Sequence, residues 1–84
     1  MMPPNSLRIY DYEPTATIYA MFTNDDGEKK LLLMDWMGKV KGLFTNWAGR
    51  GIPTGARRRY FRSLPPEARR AIRINTTTAL FGEP

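Results

Sequence analysis

The chain has 84 residues, thirteen Lys and Arg against eight Asp and Glu, a net charge of +5, and neither Cys nor His. A chain this short buries only roughly 60–65% of the surface its unfolded form exposes; that predicts one small domain over residues 1–84, with no disulfide framework or thiolate zinc site to reinforce it. Without His the usual general base and metal ligand is gone, and without Cys the strongest common nucleophile, which argues against an enzyme and against catalytic, cofactor or metal residues.

The first residues, M-M-P-P-N-S, carry no basic stretch followed by an apolar run, and no segment approaches the roughly 18 apolar residues of a membrane span. The expected location is therefore cytoplasmic. Ser6 to Tyr12 mixes β-branched, aromatic and polar residues as a strand does, until Glu13-Pro14 interrupts it. Thr15 to Thr23 carries Ile18, Ala20 and Phe22 on one parity and Tyr19 and Met21 on the other, so both faces are partly apolar. Asn24-Asp25-Asp26-Gly27-Glu28 is the strongest turn signal in the chain, because Asp-Gly supplies the positive φ of a tight hairpin. Lys29 to Trp36 then returns as a third strand.

From Trp36 the period changes. On a helical wheel, residues 36–48 place Trp36, Met37, Val40, Leu43, Phe44, Trp47 and Ala48 within one arc, which predicts an amphipathic helix with a wet face weakened by Gly38 and Gly42. Gly49 is positioned to cap it, and residues 49–55 (G-R-G-I-P-T-G) read as a loop whose Thr54 caps the next helix. Residues 56–64 are expected to form a short helix with Tyr60, Phe61 and Leu64 inward and Arg58 and Arg62 as an outer ridge. Pro65-Pro66 would end it and start another, with Ala68, Ala71 and Ile72 inward and Arg69 and Arg73 outward. Residues 75–81 favour a closing strand, because threonines cluster there. The predicted fold class is α+β: a small antiparallel sheet from the first third, extended by a C-terminal strand, packed by one amphipathic helix and two short Arg-rich helices.

Charge follows this division. Residues 1–35 hold three basic and six acidic side chains, whereas residues 36–75 hold ten basic side chains against Glu67 alone. Eight of the nine arginines are Arg50, Arg57, Arg58, Arg59, Arg62, Arg69, Arg70 and Arg73. Arginine presents a planar, permanently charged fork that grips phosphate or carboxylate at two points and stacks on bases. The glycine-bearing loop before them could offer backbone N–H groups to an anion, although no Lys-Ser/Thr follows it as in a phosphate-binding nucleotide loop.

These eight arginines are the candidate surface for a polyanion or a protein partner. The expected function is non-enzymatic binding to nucleic acid or a nucleoprotein, with low sequence specificity because phosphate contacts hold position without reading bases. Two alternatives stand beside it. One is a small inhibitor or adaptor, of the kind viruses and phages encode, that docks on an acidic or nucleic-acid-binding protein through Arg hot spots. The other is a self-assembling or membrane-surface structural protein using the Trp36–Trp47 aromatic stripe, although a sheet stands ready to receive that stripe as core. A homodimer could form through a flat hairpin edge. Three weaker signals are read as structural: a helix-Pro-Pro-helix that lacks helix-turn-helix spacing, an Asp11 and Glu28-x-Lys30 set of nuclease-like residue types at a hairpin turn, and Tyr10, Tyr12 and Tyr19 as stacking platforms, which lie far from the arginines in sequence.

Overall fold

The computed structural model of the chain describes residues 6–24, 26–45 and 51–81, with residues 77–81 by their backbone course alone. Five strands, β1 (Arg8–Tyr12), β2 (Thr17–Thr23), β3 (Lys29–Met34), β4 (Val40–Thr45) and β5 (Arg57–Arg59), form an antiparallel sheet in the order β4-β3-β2-β1-β5. A single helix among the described residues, α1 (Pro66–Phe81), packs on one face, and short 3-10 turns cover Glu13–Thr15 and Phe61–Ser63. The α+β class and the sheet from the first third are as expected.

Alternation along β1 to β3 builds the core. Ile9, Ile18, Ala20, Leu32 and Met34 point to the helix side and pack with Leu64, Ala68 and Ile72, with Leu7, Trp36, Phe61 and Ala71 partly buried around them. Each large apolar side chain so buried contributes about 1.5–3 kcal/mol. Ala68, Ile72 and Thr76 recur four residues apart, which gives α1 one buried stripe.

The β2–β3 and β3–β4 loops use one device. The Asn24 side-chain carbonyl accepts from the N–H groups of Asp26 (3.1 Å) and Glu28 (2.8 Å), while the Gly27 N–H donates to the Asn24 carbonyl at φ 79°. Between β3 and β4, the Asp35 carboxylate accepts from Met37 and Lys39 (both 2.9 Å), and the Gly38 N–H donates to the Asp35 carbonyl at φ 85°. An Asx residue followed by glycine three positions later is a type I turn signal. The second of these turns occupies residues expected to begin a helix.

Of the helix expected over residues 36–48, residues 36–45 are not helical: Trp36 and Met37 form the tip of that second loop, and Val40 to Thr45 pair with β3 with a register shift at Leu33/Met34. Val40, Leu43 and Phe44 lie on an edge strand and remain exposed, Phe44 by 52%. Trp47 and Gly49 lie outside the described residues. Residues 56–64 are not a helix either. The Ala56 N–H closes a turn on the Pro53 carbonyl with Gly55 at φ 96°, so Thr54 caps nothing, and Arg57–Arg59 pair with β1 as a strand.

Residues 75–81 continue α1 rather than forming a strand. Asn75 and Thr76 bond back within the helix: the Asn75 amide donates to the Ala71 carbonyl (2.7 Å) and the Thr76 hydroxyl to that of Ile72 (2.8 Å). The Pro-Pro start of this helix is as expected, with Pro66 at its first position and the Arg69 N–H bonded to the Pro65 carbonyl at 3.0 Å. Among the described residues no helix is long and apolar enough to cross a membrane.

Candidate nucleic-acid interface

β5 is the structural origin of the candidate site. The run Arg57-Arg58-Arg59 forms a strand because β1 offers it an open edge, in the register Ile9 to Arg59, Tyr10 to Arg58 and Asp11 to Arg57. Strand alternation then divides the three arginines. Arg57 and Arg59 share the face of Ile9 and Asp11, on the helix side, while Arg58 shares the opposite face with Tyr10.

Arg59 is held in place. Its guanidinium bonds the Asp11 carboxylate at 3.0 Å and 3.3 Å and lies 5.8 Å from the Trp36 ring centroid. Asp11 is only 10% exposed at its side chain, against 43% for Arg59. A carboxylate that far out of water needs such a partner. Asp11, Glu13, Pro14, Gly55, Arg57 and Arg59 also line a cleft of about 150 Å³, whose mixture of acidic and basic groups does not favour an anion.

On the other face, rings and guanidinium groups alternate. Arg58 lies 6.0 Å from the Tyr10 centroid and 5.9 Å from that of Tyr60, and Arg62 lies 5.8 Å from Tyr60. Contacts of this length at an exposed site are worth about 0.5–1 kcal/mol each. They orient the side chains without neutralising them. Tyr60, expected in the core, is 64% exposed, because the chain leaves β5 there in extended backbone before the 3-10 turn.

Arg73 rests 5.1 Å from the Phe61 ring, Arg70 is exposed and Arg69 half-buried, all on the first half of α1. Arg50 lies outside the described residues, as does Gly49, whereas residues 51–55 of the glycine-bearing loop are described, with Gly51 close enough to Leu31 that a Cβ there would lie 2.7 Å from its side chain. Among the described residues, Arg59 alone of the predicted arginines has an ion-pair partner. The structure thus joins Arg58 to Arg62, but through Tyr60 and not as a helical ridge. It separates Arg59 from the group as a residue occupied in holding β5 to β1.

Tyr10, read from the sequence as a structural sheet aromatic, and Tyr60, expected inward on a helix, both stand beside arginines. Tyr10 stands opposite Tyr19 in the strand register, and β5 pairing also brings Arg58 over it. The basic segment is itself divided, because Lys39 and Lys41 belong to the β4 side and the Arg57–Arg59 strand to the opposite edge. No three His, Cys, Asp or Glu side chains among the described residues gather as metal ligands. Comparison with known protein families, curated proteins and solved structures yields no match, so the site is read from its own chemistry.

Proposed function

We propose that this chain is a non-enzymatic binding protein that engages nucleic acid, alone or within a nucleoprotein, through the arginines of β5, the following 3-10 turn and the start of α1. The observation that carries the reading is that Arg58 and Arg62 are exposed beside Tyr60 with no carboxylate paired to them among the described residues, while Arg57, also exposed, stands on the opposite face of β5. Arg70 and Arg73 add cationic groups on α1. Unpaired guanidinium groups on one small surface favour a ligand with closely spaced negative charge. Phosphates meet that requirement. Low sequence specificity belongs to the same reading, since Asn24 and Asn75, the described amide side chains, are already bonded within the chain.

A titration of affinity against salt tests it. If about five phosphates are neutralised, log affinity falls against log salt with a slope of about −4.5 for duplex and about −3.5 for a single strand. No binding to either at low salt overturns the proposal. The reading would then pass to a protein-docking adaptor, which the exposed Val40, Leu43 and Phe44 on the β4 edge favour.

A further inference from the structure

We infer that the ligand is a single strand, bound with a base stacked on Tyr60 and its phosphates held by the neighbouring arginines; this rests on the nucleic-acid reading above. A duplex keeps its bases stacked on one another, so a protein that meets only its phosphates has no use for an exposed ring among the cations. Here the ring is central. Tyr60 is 64% exposed and receives guanidinium groups from both Arg58 and Arg62, while Arg58 also reaches Tyr10 on the sheet. Aromatic rings interleaved with arginines are what sequence-tolerant recognition of unpaired bases requires, because every base has a π face.

Charge on this face of the sheet agrees. By strand alternation its charged members on β1, β2, β3 and β5 are Arg8, Lys29 and Arg58, with no Asp or Glu among them. Of the two acids that flank Tyr12, Asp11 turns to the other face and is consumed by Arg59, and Glu13 follows the strand in the 3-10 turn, where it lines the cleft with Asp11 and Arg57. A backbone leaving Tyr60 along β5 and β1 therefore meets Arg58, half-buried Tyr10 and Arg8, with no strand carboxylate to repel it, and its path ends before β3, where Gly51 lies over the buried Leu31. Tyr10, Tyr12 and Tyr19 extend the stacking surface away from the edge.

The test compares three fluorescently labelled ligands of equal phosphate number by anisotropy: a mixed-sequence single strand of about 12 nucleotides, an abasic strand, and a duplex. DNA and RNA versions of the single strand distinguish the two sources of the same chemistry. The base-bearing strand is expected to bind at least about tenfold more tightly than the abasic one. Tyr60→Ala should remove most of that difference with its salt slope unchanged, Tyr60→Trp should retain it, and Arg58→Gln with Arg62→Gln should lower the slope by about 1–1.5. Because Tyr60 is exposed, an unchanged urea midpoint in Tyr60→Ala verifies that the variant is folded. Equal affinity for base-bearing and abasic strands, or a folded Tyr60→Ala that keeps the preference, overturns the stacking inference and leaves the phosphate reading standing. Absence of binding to all three ligands overturns both.

Discussion

Arg57 and Arg59 stand two residues apart on one strand face and yet differ in what their removal exposes. Truncating Arg59 leaves the Asp11 carboxylate nearly buried and unpaired and uncovers Trp36. Truncating Arg57 exposes only an edge position already in water. Arg59→Ala is therefore expected to cost about 1–3 kcal/mol in urea unfolding, and Arg57→Ala to stay within about 0.5 kcal/mol of the parent. The opposite pattern should appear in nucleic-acid affinity, where Arg57 counts and Arg59 does not. An equal stability loss at the two positions would show that Asp11 is no structural anchor. Sequence alone gives these arginines equal standing. Their difference depends on Asp11, 48 positions from Arg59, and only strand pairing reveals it.

The hairpin loops make the corresponding point for elements. A Cβ at Gly27 would meet nothing within 4 Å, whereas one at Gly38 would lie 2.5 Å from the Glu67 carbonyl oxygen, because the β3–β4 loop packs against the first turn of α1. Gly27→Ala thus bears only the positive-φ penalty of about 1 kcal/mol, while Gly38→Ala adds a backbone clash and should cost on the order of 2–3 kcal/mol. Comparing urea midpoints of the two variants checks this. Equal losses would mean that the loop is not seated on the helix. The same loop explains how much of the fold is legible in the chain. β1, β2, β3 and the Asn24 turn follow from alternation and Asx-Gly chemistry, but Val40, Leu43 and Phe44 fit a helical arc as well as a strand. What separates the two is Asp35 with Gly38, a repeat of Asn24 with Gly27 that a wheel cannot register. At the other end, Thr76 has a weak helical preference that is overridden because its hydroxyl bonds the helix and its position continues the Ala68–Ile72 stripe. The candidate site was legible in composition, as an arginine cluster, and illegible in arrangement, since Tyr60 could not be placed without knowing that residues 57–59 are extended.

Across the whole molecule, four strands follow one another as neighbours and the fifth does not. β1 to β4 form a meander joined by short loops, whereas β5 closes on β1 only after the chain has passed from one edge of the sheet to the other. Long-range pairing of this kind is gained late and lost early, because it carries the greatest chain entropy. A three-residue strand adds few bonds to offset that. The amides of residues 57–59 that bond to β1 are accordingly expected to exchange with solvent faster than those of β2 and β3 in native-state hydrogen exchange. Protection of β5 equal to that of the central strands would make the sheet a single cooperative unit. If the edge opens by itself, the ladder of Tyr10, Arg58 and Tyr60 is assembled only while β5 is docked, and a ligand bound across it acts as a clasp. Its presence would then be recorded as slowed exchange at β5, with the meander unchanged.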